Sequence, residues 1–394
     1  MNNSSSFDII IDRKNTSSSK WKKYREHSEI FVFTIADMDF KTPKTILNEL
    51  SKIIDFGILG YSELDDKFVN SCVNWLKYKH NWHVCAEWIV PCTTIKGALN
   101  IIINELTDIN DNIYSLSPGY KSFFNEDENR VSLVEIPIQE DMCLLETLKR
   151  HPGNKNPKLF FFTNPHNPTG KVWNIEELKD ISRFCIENKL ILISDDIHQD
   201  IILSEKVKYT PIHLAEPSII ESSIICLSPS KTFNISGLQA SYLIIANVEL
   251  REKITKKLKK YTLYYPNIFA IEAYSSAYNN SELWLKELIP YLKENYFFIK
   301  NSLKICQPFI QVKELEATYL AWVDFRGMNM SSNKIENILL TNYRIVLENG
   351  NKFGKNGEGF FRINFACPRS KLVHLVNSLI DFTKNMKKIH NHSK

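Results

Sequence analysis

No stretch of this 394-residue chain approaches the run of roughly 18–20 apolar residues that a membrane-spanning helix requires, so no membrane partner is expected. The first residues, Met1-Asn2-Asn3-Ser4-Ser5-Ser6, are polar and lack the apolar region of a signal peptide. Its 8 cysteines include no Cys-x-x-Cys pair. Cys185 and Cys226 fall in apolar, core-like contexts, so reduced thiols and a cytoplasmic location are expected. Cys72, His80, His83 and Cys85 do not make a convincing metal set, because Cys72 falls in a helical pattern and Trp82 interrupts the histidines. An excess of one charge sign is also missing. Net charge is only +4, Lys and Glu are interspersed, and no basic stripe with interleaved aromatics is present, so nucleic acid is not an expected partner. Internal repeats and low-complexity linkers are absent as well.

What is present is a sequence able to bury a large core. Hydrophobic residues make up 43% and charged residues 24%, the balance of a folded globular chain. Between about Asn70 and Asn247, short β-rich apolar runs alternate with helical patterns. The expected strands are Trp88–Val90, Ile113–Leu116, Val131–Ile136, Leu159–Thr163, Leu190–Ser194, Ile224–Leu227 and Tyr242–Ile245. Ile95–Glu105 and Ile175–Asn188 carry apolar residues at helical spacing, with Glu176 and Glu177 near an N-terminus. Continuous apolar strands separated by helices predict an α/β fold: a mostly parallel seven-stranded sheet with helices on both faces. In such sheets ligands gather beyond the carboxyl ends of the strands.

After Pro266 the pattern changes to a long helical region through about Leu303. Strand-like Thr318–Phe325, helical Ser332–Thr341, strand-like Phe360–Phe365 and an amphipathic helix Ser370–Lys387 follow. These predict a smaller α+β domain. The expected division is a segment 1–45 joining the small domain, a large cofactor-binding domain 46–285, and a small C-terminal domain 286–394.

Three segments carry chemistry. Ser228-Pro229-Ser230-Lys231-Thr232-Phe233-Asn234 sets a lysine where the apolar run Ile224–Leu227 empties into a polar pocket. Desolvation disfavours the ammonium there, and the neutral amine can condense with a carbonyl. Asn164-Pro165-His166-Asn167-Pro168-Thr169-Gly170 and Ser194-Asp195-Asp196-Ile197-His198 likewise follow strands, so all three converge on one end of the sheet. Together they predict a pyridoxal 5'-phosphate site. Thr94–Leu99 opens a helix after a strand, so the N–H groups of Ile95 and Lys96 can meet the phosphate, helped by the hydroxyls of Ser228 and Ser230. Asp195 needs a partner, which is either an ion pair, a helix cap or a protonated pyridine nitrogen. Asn167 can donate to the ring's phenolic oxygen, and His198 is placed near the same oxygen or is a satisfied core histidine. Tyr120, in Ser117-Pro118-Gly119-Tyr120, is either a ring-stacking aromatic or part of the core. Arg362, in Gly359-Phe360-Phe361-Arg362-Ile363-Asn364, invites a carboxylate, from the protein or from a substrate. Gly170-Lys171 is not a nucleotide P-loop, since the upstream glycine is absent and prolines stand in its place.

The order of these motifs resembles fold-type I pyridoxal-phosphate enzymes of the class I/II aminotransferase superfamily, over roughly Phe7 to Phe382. Ala36-Asp37-Met38-Asp39-Phe40, Gly60-Tyr61-Ser62, Asp195-Asp196-Ile197-His198, Lys231-Thr232-Phe233-Asn234-Ile235 and Ala366-Cys367-Pro368-Arg369-Ser370 are most similar to its C–S lyase (cystathionine β-lyase-like) subgroup. The resemblance implies Lys231 as the Schiff-base lysine, Asp195 as the pyridinium partner, and Asn167 as donor to the phenolic oxygen. Tyr120 would stack on the ring and Arg362 would clamp the substrate carboxylate. Met38 belongs to the substrate surroundings, and Tyr61 reaches the partner's phosphate in a homodimer. His198 replaces the tyrosine of typical aminotransferases. Two departures stand out: Cys92–Gly97 lacks the subgroup's Pro-Gly-Val-(Val/Ile)-Pro turn, and Asp196 replaces its usual Glu.

The reaction implied is α,β-elimination from a cystathionine- or cysteine-type L-amino acid, giving pyruvate, ammonia and a thiol. An aminotransferase would use the same residues, and a cofactor-binding protein acting through protein contacts is a third reading. The motifs do not name the physiological substrate.

Overall fold

The computed structural model describes residues 5–27, 29–121, 124, 131–139, 142–150 and 157–392, with side chains to residue 388. In chain order the strands are β1 (Phe31–Val32), β2 (Ile89–Cys92), β3 (Asn112–Ser117), β4 (Ser132–Pro137), β5 (Pro157–Thr163), β6 (Ile191–Asp195), β7 (Ser223–Leu227), β8 (Ser241–Ile244), β9 (Gln311–Val312), β10 (Leu320–Asp324), β11 (Ile345–Val346), β12 (Glu348–Asn349) and β13 (Phe360–Asn364). The helices are α1 (Lys44–Phe56), α2 (Asp66–His80), α3 (Ile95–Leu106), α4 (Leu144–Arg150), α5 (Ile175–Glu187), α6 (Ile212–Ala215), α7 (Val248–Lys260), α8 (Ile268–Asn280), α9 (Glu282–Ser302), α10 (Ser332–Tyr343) and α11 (Arg369–His392).

Seven strands form one sheet in the order β2-β8-β7-β6-β5-β3-β4. The pairs from β7 through β6, β5 and β3 to β4 are parallel, and β8 runs antiparallel between β7 and β2. The mostly parallel sheet read from the apolar runs is therefore present, with one reversed strand. The pleat sends alternate residues to opposite faces. Val90, Phe161, Ile193, Ile224 and Leu243 pack on one face with α3 and α7. Phe160, Phe162, Leu192, Ile225 and Tyr242 pack on the other, with α5 and α8. Burying each such side chain contributes about 1.5–3 kcal/mol, which is why these strands show no polar alternation.

Local signals fix the helix starts. Asn174 and Glu177 form a reciprocal capping box at α5, the arrangement foreshadowed by Glu176 and Glu177. Asp65 caps α2 through the N–H of Phe68. The helical region after Pro266 is two helices, since Ser281 leaves helical geometry and ends α8 before α9. A second sheet, β12-β13-β10-β9, is wholly antiparallel. β1 pairs in parallel with β11, so residues near the N-terminus fold against residues 345–346. Among the described residues, no helix is long and apolar enough to cross a membrane.

Candidate active site

A cleft of about 420 Å³ opens where β2, β5, β6 and β7 end, between the large sheet and the β12–β13 edge of the second sheet. Ile95, Lys96, Tyr120, Asn167, Asp195, His198, Ser230, Lys231 and Arg362 all line it. Segments more than a hundred residues apart meet there because those of the large domain lie at or just beyond strand ends on one side of the large sheet, while Arg362 comes from β13 of the second sheet.

At one end of the cleft, β2 passes through Thr93 and Thr94 into α3. Thr94 caps the helix, its Oγ1 accepting from the Gly97 N–H at 3.1 Å. Ile95 and Lys96 form the first turn, where backbone N–H groups lack helical partners and the dipole is positive. Beside them, the Thr93 hydroxyl is buried without a hydrogen-bond partner. This end suits an anion.

Asp195 ends β6 and is buried, with one weak acceptor contact from the Ile197 N–H at 3.4 Å. Burial pushes its carboxyl up to about 6, against the opposing pull of that N–H and of Lys231. Such a group is stabilised by any cation brought to it. Asp196 points the other way: Ser194 and Tyr209 both donate to it, and burial pushes it to about 7. Its role is to hold the strand end. His198 lies across the cleft with both ring nitrogens buried and unpartnered, its edge against Tyr319. Burial, reinforced by Lys231 and Arg362, holds it neutral, down to about 3.

Lys231 follows β7. Its Nζ donates to the Ala36 carbonyl at 2.8 Å and to Ser236 Oγ at 3.4 Å. Burial, helped by Arg362, lowers its pKa against the attraction of Asp37 and Asp195, so its proton is easier to lose than that of an exposed lysine. Ala36 is held in place by its own segment. Burial of Asp39 would raise its pKa, but Lys20, Lys371 and Arg13 surround it and hold it far below the usual carboxylate range.

Asn167 comes from the turn after β5. Gly170 ends that turn with φ +72, and a Cβ there would lie 2.0 Å from Leu315 Cδ1. Only glycine fits, and its carbonyl in turn accepts from the Ala317 N–H at 2.9 Å. Asn167 Oδ1 accepts from Arg362 Nη1 at 3.1 Å, leaving its amide N–H₂ to face the cleft. Arg362 lies over the Phe353 ring at 4.8 Å, and Glu348 approaches its Nη2 at 3.6 Å. Its Nε is buried without a partner. Glu348, Lys352 and Phe353, which nothing in the sequence pattern singles out, line the cleft.

Three expected residues are placed elsewhere. The Ser228 hydroxyl is buried behind the cleft, bonded to the Ala240 carbonyl and Tyr274 OH, and it accepts from the Ser230 N–H. Met38 is buried outside the cleft lining, its N–H bonded to Asn234 Oδ1. Tyr61 is wholly exposed on the surface of this chain and does not line the cleft.

The family model for aminotransferase class I and II matches residues 29–379. The chain belongs to that family. It is 32% identical over 374 residues to cystathionine beta-lyase PatB of Bacillus subtilis (strain 168), covering 93% of this chain and 96% of that one. Among solved structures it is similar to cystalysin from Treponema denticola, described as containing pyridoxal 5'-phosphate, with TM-score 0.92, 29% identity, and 96% and 99% of the two chains covered. It is also similar to the PLP-bound C-S lyase from Staphylococcus hominis, with TM-score 0.86, 30% identity, and 96% and 98% covered.

Proposed function

We propose that this chain is a pyridoxal-phosphate-dependent carbon–sulfur β-lyase acting on cystathionine- or cysteine-type L-amino acids. The observation that carries it is one cleft holding a buried lysine whose pKa is lowered, a buried carboxyl raised by burial, and a buried arginine with an open edge. The residues fit the cofactor. Its phosphate matches the α3 terminus with Thr93 and Ser230, a cationic ring nitrogen matches Asp195, and the phenolic oxygen matches the free amide of Asn167 and the unpartnered His198. Tyr120, at the end of β3, supplies a face to stack on. When bound, pyridoxal phosphate supplies the electron sink that weakens bonds at the substrate's Cα.

The chain's own residues do the rest. Arg362 binds the substrate carboxylate through its open edge and fixes the Cα–H direction. Lys231 Nζ, its proton made easier to lose by burial, takes the Cα proton as the free amine. Asp195 keeps its neighbouring cation in place, the sulfur leaves from Cβ as a thiolate with the C–S bonding pair, and one water hydrolyses the remaining enamine to pyruvate and ammonia. The lyase reading is favoured over transamination by the relatives named above as lyases, and by the imidazole of His198 where aminotransferases carry a phenol. Release of pyruvate and thiol from L-cystathionine without any keto acid is the expected result. Pyruvate formation that depends on an added keto acid overturns the lyase reading in favour of transamination.

A homodimer is part of this reading. Ile54, Phe56, Ile58, Leu59 and Tyr61 form a run of large exposed side chains from the end of α1 onward. Large apolar side chains exposed over so short a segment suit burial against a second copy, which would bring Tyr61 to the partner's phosphate end. Sedimentation of the purified protein as a monomer at micromolar concentration would count against it.

A further inference from the structure

Glu348 and Arg362 are directly opposite each other on β12 and β13, so their side chains share one face of the sheet. Arg362 is only 5% exposed, and a buried guanidinium needs compensating charge. Glu348 gives that charge without a hydrogen bond, since 3.6 Å to Nη2 is beyond hydrogen-bond length. Its hydrogen bonds go elsewhere: Lys352 Nζ reaches one oxygen at 2.6 Å and the Ile35 N–H reaches the other at 3.3 Å. Burial alone would raise the Glu348 carboxyl, but Arg362 and Lys352 together keep it below its ordinary value, so it is ionised. Arg362 thus has a counter-charge nearby, shared with Lys352, yet it is not saturated, with Nε unpartnered.

A substrate carboxylate docking on Arg362 therefore meets an anion already beside it. Two like charges that share one guanidinium repel each other, and more strongly in a partly dry site than in water. The group able to relieve this is Lys352, whose side chain is 65% exposed and already held on Glu348.

We propose that Glu348 is a positioning residue that stands in for the substrate carboxylate at Arg362, and that Lys352, already bonded to it, offsets its charge so that substrate can dock. Glu348 keeps Arg362 compensated and aimed along Asn167 in the free enzyme, and it sets how tightly any amino acid is held. This rests on the carboxylate-binding role of Arg362 proposed above, but not on elimination chemistry.

The test uses holoenzyme and L-alanine, which has no leaving group on Cβ, titrated against the visible cofactor spectrum to give Kd. KM and kcat for L-cystathionine are measured alongside. Glu348→Gln is expected to lower Kd and KM about tenfold, with kcat changed less than about threefold. Lys352→Met is expected to raise Kd about tenfold in the native background and less than about twofold in Glu348→Gln. A merely structural role would not produce that dependence of one substitution on the other. Weaker L-alanine binding in Glu348→Gln, or an equal Lys352→Met effect in both backgrounds, overturns the proposal. Should Glu348→Gln fail to fold, an unchanged Kd in Lys352→Met, an exposed position, overturns it alone. Normal L-alanine binding without pyruvate from cystathionine defeats the lyase reading only. A native protein whose spectrum ignores every amino acid defeats the Arg362 assignment and this inference with it.

Discussion

Asp195→Asn should stabilise the cofactor-free protein while disabling the cofactor-loaded one. Burial raises the Asp195 carboxyl from 3.8 to about 6. The folded state therefore binds this proton more tightly than the unfolded state. Stability is unaffected below about pH 3.8, falls as pH rises toward 6, and carries the whole penalty above that. At about 1.4 kcal/mol per pH unit the penalty is about 3 kcal/mol at pH 8. Asparagine keeps the shape and removes the titration, so the cofactor-free variant should unfold at higher denaturant at pH 8 and match the native protein near pH 4. Asp196 titrates in the same window and is itself raised partly by the Asp195 charge, so some slope remains but a smaller one. With cofactor the sign reverses, because a cation beside Asp195 gains from the carboxylate. The native protein should gain more stability from cofactor at pH 8 than at pH 5, and Asp195→Asn should lose most of that gain. Urea midpoints of both forms across pH 4 to 8 measure this directly. A cofactor-free Asp195→Asn protein less stable than native at pH 8, or one with an undiminished pH slope, would refute the reasoning.

Lys231→Ala should remove the lysine-dependent imine band and lower turnover by at least about 10²–10⁴, the worth of a positioned acid–base group; retained pyruvate release would show that another base serves. Gly170→Ala should destabilise the protein by about 2–5 kcal/mol. It combines strain at φ +72 with a Cβ 2.0 Å from Leu315 Cδ1 and 2.8 Å from the Ala317 carbonyl. A shift of the urea midpoint with unchanged m-value is the expected reading, and a midpoint equal to native would show that the turn relaxes freely.

The inner strands of the sheet were legible because they are buried on both faces. Phe160 and Phe161 face opposite sides and are both in the core, so no polar residue interrupts the run. The direction of β8 was not legible, because Ser241–Ile244 is as apolar as its parallel neighbours and periodicity carries no polarity. Nor was the break at Ser281, where the Asn279-Asn280-Ser281 run is compatible with either a continuing helix or a new start.

The cleft was legible where a residue is the end of a strand, and illegible where its partner lies across the fold. Asp195 and Lys231 announce themselves as charged groups at the end of apolar runs, which is a local property. Ser228 and Ser230 look alike in the sequence, yet the chain turns between them. That turn sends one hydroxyl to Tyr274 behind the sheet and leaves the other residue at the cleft. Glu348 is the harder case. Its neighbours Leu347 and Asn349 carry no signal, and its importance comes from the register of β12 against β13, which sets it opposite Arg362. A one-residue slip of that two-residue strand would turn the carboxylate to the other face and leave the guanidinium uncompensated. The charge of the site thus depends on a pairing between strands, so the residues that tune it need not lie in the motifs that identify it.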